Sequence, residues 1–113
     1  MYEYKAAVLN VVDGDTLDME VDLGFETLTR QRIRLVGINC PEKNTEPGKA
    51  ARKFVVDWVQ AHGPAFTLTT LRDRREKYGR YLGTITATGV GPLDVALVKA
   101  GLARPYDGHG PRT

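Results

Sequence analysis

Three groups of residues are of types that can do chemistry on a phosphate ester if they meet. Asp13-Gly14-Asp15-Thr16 sets two carboxylates around a glycine. Arg34 is followed, after four residues, by Asn39-Cys40-Pro41-Glu42. Glu76-Lys77-Tyr78-Gly79-Arg80 brings three charged side chains and a phenol together. A carboxylate can hold a hard divalent cation, which binds oxygen ligands and polarises phosphoryl oxygens. A second carboxylate can orient or deprotonate a water. Guanidinium groups match phosphate oxygens in bidentate geometry and stabilise the charge that grows in the transition state. Two arginines from separate segments could grip one phosphate from two sides.

Each group alone has a plainer reading. Asp-Gly-Asp suits a solvated turn. An arginine on the polar face of a strand suits solvent, and Lys-Tyr-Gly-Arg suits a basic loop. Cys40 and His62 could be paired as nucleophile and base. However, Cys40 precedes Pro41 in a turn, and His62 sits at a helix C-terminus, where a cation is favourable. A single cysteine excludes an intramolecular disulfide, and with His62 and His109 the soft donors are too few for structural zinc. The three groups carry more weight together, in this order, than singly.

Short strands and turns must position them. Residues 4–12 read as a first strand, and Asp13-Gly14-Asp15 as a turn. Over 16–23, Leu17, Met19, Val21 and Leu23 alternate with Asp18, Glu20 and Asp22, the period-two pattern of a half-buried strand. Residues 27–36 form a third strand, with Ile33 and Leu35 on one face and Arg30, Arg32 and Arg34 on the other. That polar face is expected to leave Arg34 exposed, and Arg30 and Arg32 suit charges that discourage aggregation of an edge. The stretch 37–47 is irregular. A helix over 49–62 follows, with Ala51, Phe54, Val55, Trp58 and Val59 recurring every three or four residues; this makes Trp58 and Phe54 core residues. A fourth strand spans 65–71, a charged loop 72–80 and a fifth strand 81–88. A short helix over 93–100 ends at Gly101. The tail from Arg104 is expected to lie over the surface, with His109 in it.

The order of three strands, helix, two strands and short helix is that of a mainly β (α+β) OB-fold, a five-stranded β-barrel. One helix lies between strands three and four, and a short one near the C-terminus. The 113 residues suffice for one domain, 1–113, because two cores of this total would each be too small. Apolar residues make up 42% and charged residues 27%, which argues against disorder. No apolar run can span a bilayer, and no signal peptide is visible, so the expected location is the cytoplasm, away from membranes. Lys+Arg 16 against Asp+Glu 14 is too even a balance to imply a polyanionic partner. Local clustering of Arg72, Arg74, Arg75, Lys77 and Arg80 matters more.

With these pieces in place, the sequence resembles the staphylococcal nuclease (thermonuclease) family. The resemblance rests on Val-Val-Asp-Gly-Asp-Thr at 11–16, Ile-Arg-Leu-Val-Gly-Ile-Asn-Cys-Pro-Glu at 33–42, Lys-Tyr-Gly-Arg at 77–80 and Ala-Leu-Val-Lys-Ala-Gly-Leu-Ala at 96–103. It implies an OB-fold, calcium-dependent nuclease that cleaves DNA and RNA and leaves 3′-phosphorylated products. Arg34, Glu42 and Arg80 fall on the catalytic trio: the arginines on the scissile phosphate, the glutamate on the attacking water. Asp15 falls on a calcium-ligand aspartate, and Cys40 on a position whose backbone carbonyl is a ligand. Lys77 and Tyr78 match residues that contact a nucleotide phosphate.

Asn39 departs from the pattern, which has a second calcium-ligand aspartate there. An amide oxygen can still bind calcium, but the loss of one charge should weaken binding by roughly one to three powers of ten unless substrate phosphate restores it. The loop over 43–47 is shorter than in the staphylococcal enzyme, the turn over 23–29 is longer, and no third helix is expected. The resulting expectation is a monomer that acts on single-stranded or unpaired nucleic acid, with Tyr78, Tyr81 and Tyr106 as stacking candidates. Tyr81 equally suits barrel packing. A catalytically silent nucleic-acid-binding barrel is the alternative. It needs no glutamate beside its phosphate site, but a poor metal site would suit it. A peptide-binding barrel is a more distant one.

Overall fold

Alternation of apolar and polar residues along short strands produces a curved sheet that closes on itself. The computed structural model of the chain describes residues 2–75 and 81–106, with 71–75 described in backbone alone. The elements are β1 (Tyr2–Asp13), β2 (Thr16–Asp22), β3 (Leu28–Leu35), β4 (Ile38–Asn39), α1 (Glu46–His62), β5 (Ala65–Arg75), β6 (Tyr81–Ala87), β7 (Gly91–Pro92), α2 (Leu93–Lys99) and β8 (Arg104–Pro105). β1 pairs antiparallel with β2 and with β5, β2 with β3, and β5 with β6. A parallel pairing of Ile33, Arg34 and Leu35 with Tyr81, Leu82 and Gly83 closes the ring. The result is the expected five-stranded OB-type barrel, with α1 between its third and fourth strands.

The inward faces are those that the period-two pattern marks. Leu17, Met19, Ile33, Leu35, Leu68 and Ile85 are fully or almost fully buried. Ala51, Val55 and Trp58 of α1 join this core, as do Leu93 and Leu97 of α2. Trp58 stacks on Phe66 at 5.3 Å and meets His62 edge-on at the same spacing. Trp58 and Phe54 therefore pack against the barrel, as expected, and Tyr81 is half-buried against the core.

Several boundaries differ from the sequence reading. Helix α1 begins three residues early, because the Thr45 hydroxyl caps it by accepting from Gly48 N (3.1 Å) and Pro47 fits a first turn. β5 runs on to Arg75, where the sequence suggests a charged loop. Leu23 does not continue the buried face of β2. The strand ends at Asp22, and the turn places Gly24, Phe25 and Glu26 at φ 84°, 55° and 60°, leaving Leu23 exposed and Phe25 wholly so. Helix α2 ends at Lys99, with Ala100 and not Gly101 as its C-cap. Gly101 N–H donates to Val98 O and Leu102 N–H to Leu97 O, each at 3.0 Å, with Gly101 at φ 75°, a Schellman motif. The tail does not simply lie over the surface: β8 pairs with β4.

On the outer face of the β2–β3 pair, Arg32 reaches both carboxylate oxygens of Asp18 (2.8 and 3.2 Å). The Arg32 guanidinium holds the Asp18 carboxyl below its ordinary pKa. Arg30 lies 3.7 Å from Glu20. These arginines are therefore paired with the neighbouring strand's carboxylates. Among the described residues, no helix is long and apolar enough to cross a membrane.

Candidate active site

The turn at Asp13-Gly14-Asp15 is not a solvated one. Gly14 and Asp15 are buried where β1 passes into β2, beneath α1. A Cβ on Gly14 would stand 2.8 Å from Ala51 Cβ and 2.9 Å from Cys40 Sγ, so only glycine lets the turn pass this close. Cys40 is itself fully buried, so its thiol is packing rather than a reagent. That removes the thiol-enzyme reading.

The register of β2 on β3 sets Thr16 opposite Arg34, which brings Asp15 to the arginine. Arg34 Nη2 lies 3.5 Å from Asp15 Oδ2 and donates to Asn39 Oδ1 (3.0 Å) and Ile38 O (2.9 Å). Nη1 donates to Leu35 O. Asp15 Oδ2 also accepts from Cys40 N–H (2.9 Å), and Oδ1 from the Thr16 hydroxyl (3.2 Å). The cluster is buried: the side chain of Asp15 is 0% exposed and that of Arg34 10%. This corrects the expectation that Arg34 is exposed. The end of β3 turns inward at Leu35, and the 36–40 segment folds back over the guanidinium to supply its acceptors. A buried ion pair of this kind is costly to break, because either partner alone is an uncompensated charge.

Glu42 is exposed, on the turn that leads into α1. Its carbonyl accepts from the Thr45 hydroxyl (2.6 Å) and Thr45 N–H (3.0 Å), which ties the turn to the helix cap. Gly48 holds this join closed, since a Cβ there would collide with Glu42 O. Alanine is normally favoured over glycine inside a helix by about 1 kcal/mol. Here Gly48→Ala is expected to lower the melting temperature and to reduce any activity that depends on Glu42. Thermal denaturation of both proteins checks this, and a stabilised variant would refute the close approach.

Of the candidates, Asp15, Arg34, Asn39 and Cys40 thus meet in one buried cluster, and Glu42 follows two residues on, at the exposed turn. Arg80, Lys77 and Tyr78 lie outside the described residues, as do Glu76 and His109. Sequence reasoning missed the carbonyls of Leu35 and Ile38, which depend on the backbone path and carry no side-chain signal. It also missed that Val36 and Leu82 are exposed, Leu82 being the register partner of Arg34. A pocket of about 250 Å³ lined by Tyr4, Gln31, Thr70 and Tyr81, among others, includes none of the five candidates.

The donors can be tested against a cation. Asp15 Oδ2 and Asn39 Oδ1 both converge on one nitrogen of Arg34, so a positive charge already occupies their focus. Carboxylate, amide and carbonyl oxygens are hard donors, which suits calcium or magnesium and not a soft metal. Among the described residues, no three His, Cys, Asp or Glu side chains gather as a metal group. The set fits a hard divalent ion by kind, with Asp15 as its charged member.

Known proteins resemble this chain along most of its length. An uncharacterized endonuclease of Escherichia coli O157:H7 is 31% identical over 100 residues, covering 88% of this chain and 60% of that protein. Protein ParB of Escherichia coli is 33% identical over 118 residues, covering 96% and 60%. A micrococcal nuclease of Shigella flexneri is 27% identical over 119 residues, covering 98% and 63%. The chain therefore spans about three-fifths of the length of these relatives. A family model of staphylococcal nuclease homologues matches residues 32–113, a span that holds Arg34, Asn39, Cys40, Glu42 and Arg80 and leaves out Asp15. With that match covering well over half of the chain, on a closed OB-type barrel, the chain belongs to the staphylococcal nuclease homologue family.

Proposed function

We propose that the chain is a calcium-dependent nuclease that hydrolyses phosphodiester bonds of DNA and RNA with little sequence preference. Its favoured substrate is single-stranded, and its products carry 3′-phosphates. The observation that carries this reading is the buried Arg34, gripped by Asp15, Asn39 and two carbonyls. A barrel needs no such charge for its stability, since well-packed apolar residues serve as well. Fixed in this way, the guanidinium keeps its orientation when a phosphate arrives, so little reorganisation is left for the reaction itself.

Arg34 would meet the scissile phosphate from the barrel side and Arg80 from the other, opposing the charge that grows on the equatorial oxygens. Glu42, which is exposed, would hold the attacking water and take its proton as the bond to the 5′ oxygen breaks. Lys77 and Tyr78 would contact a neighbouring phosphate. Asp15, Asn39 and the Cys40 carbonyl would hold the calcium ion, which when bound supplies Lewis-acid polarisation of phosphoryl oxygens.

A second reading is a barrel that binds nucleic acid without cutting it. It is favoured by Asn39, which leaves Asp15 as the charged oxygen donor of the cluster. A digest of labelled single-stranded DNA with calcium, with magnesium and with chelator decides. Cutting in calcium that chelator abolishes is expected. Undiminished cutting in chelator would remove the metal, and binding without cutting at any calcium concentration would leave the silent barrel.

Asn39→Asp follows from the same reading. A second carboxylate beside Asp15 should lower the calcium dissociation constant about tenfold or more. Calorimetric titration with calcium reads this directly, without any turnover. Half-maximal activity should move to lower calcium in parallel. Saturating turnover need not rise, because the added charge also repels the substrate phosphate. An unchanged calorimetric constant would mean that residue 39 does not touch the ion.

A further inference from the structure

We infer that Arg104, carried to the site by β8, is a further contact to the phosphate chain of the substrate; this rests on the nuclease reading above. The argument begins with register. Arg104 is directly opposite Asn39 in the antiparallel β4–β8 pair, and Pro105 is opposite Ile38. Directly opposed residues point to the same face, with Cβ atoms about 5 Å apart. The Asn39 side chain faces Arg34, since its Oδ1 accepts from Arg34 Nη2 at 3.0 Å. Arg104 therefore stands on the Arg34 side of the ladder. Asn39 is buried, whereas Arg104 is exposed, so of the opposed pair it is Arg104 that a strand in solution can meet.

The placement is firm on both sides. The Schellman motif at Gly101 turns the chain out of α2, Ala103 is buried, and Tyr106 N–H donates to Gly37 O at 2.8 Å. The loop between Arg34 and Cys40 is thus bridged by β8. Electrostatics give the residue its task. Asp15 offsets the charge of Arg34 within the buried cluster, so the cluster by itself offers little net attraction to a polyanion. Arg104 adds an exposed guanidinium on the same face, and its planar fork matches phosphate oxygens in bidentate geometry.

The test is equilibrium binding of a fluorescent single-stranded oligodeoxythymidylate in chelator over a series of salt concentrations. The parent, Arg104→Ala and Arg104→Lys are compared, and steady-state cleavage in calcium is measured alongside. Arg104→Ala should weaken binding by about three- to twentyfold at low salt and reduce the slope of log affinity against log salt by about 0.7, the loss of one phosphate contact on a single strand. Lys should restore most of the affinity, and the cleavage defect should fall on KM more than on kcat. A parent that binds the strand, with an Arg104→Ala variant indistinguishable from it in affinity and slope, overturns the inference alone. An affinity loss that Lys does not restore, with a lowered melting temperature, also overturns it, by making Arg104 a structural support. A parent that neither binds the strand in chelator nor cuts it in calcium overturns the nuclease reading and the inference with it; where the parent cuts but binds only with calcium, an unchanged KM in Arg104→Ala overturns the inference alone.

Discussion

Arg34→Lys is expected to lower kcat by two powers of ten or more, and to lower stability as well. The ammonium is a point charge and cannot serve Leu35 O, Ile38 O, Asn39 Oδ1 and a phosphate from one rigid plane. Arg34→Met should be worse for the fold. It leaves the Asp15 carboxylate, 0% exposed, without its cation, a change that costs about 3–5 kcal/mol. A chain of this length has a total stability on the order of 6–17 kcal/mol, so the Met variant should unfold at far lower denaturant. Urea titrations rank the three proteins. Turnover is then compared where circular dichroism shows the Lys variant folded, which separates lost chemistry from lost structure. A Lys variant that cuts at the parental rate would remove Arg34 from the reaction. A Met variant as stable as the parent would remove the buried ion pair from the folding account.

Glu42→Gln should show the opposite balance. Its side chain is exposed and both Thr45 contacts at the turn are accepted by its carbonyl, which the substitution leaves in place, so stability should change by no more than about 0.5 kcal/mol. The amide cannot accept a proton from water, and kcat should fall by roughly 10²–10⁴-fold. Substrate affinity, measured in chelator, should hold or improve slightly, because one negative charge leaves the phosphate path. A single rate measurement in saturating calcium, with a melting curve beside it, is enough. Parental turnover would show that Glu42 does not act on the water.

The two variants differ because the two side chains occupy different environments, and only half of that difference is visible in the sequence. Asp-x-Asp, Arg34 and Glu42 stand out by type and spacing, and the four ordered motifs tie them to one family. Their burial does not follow from type. Period-two alternation puts Arg34 on the polar face of β3, where solvent is the natural expectation. It is buried because the 36–40 segment folds back over it, a path fixed by the β4–β8 pairing and not by local propensity.

Local patterning is enough to mark the barrel strands, the apolar face of α1 and the core positions of Trp58 and Phe54, because alternation and three-four spacing report directly on which face is buried. It is also enough to bring out the chemical groups. Long-range register is different. The parallel closure of β3 on β6, the seating of Gly14 against Ala51 and Cys40, the join of Gly48 to Glu42 and the alignment of Arg104 with Asn39 all depend on backbones distant in sequence coming close together. Such contacts are specified by the packing of the whole core, since each is made by main chain or by the absence of a side chain, and neither leaves a periodic mark along the chain.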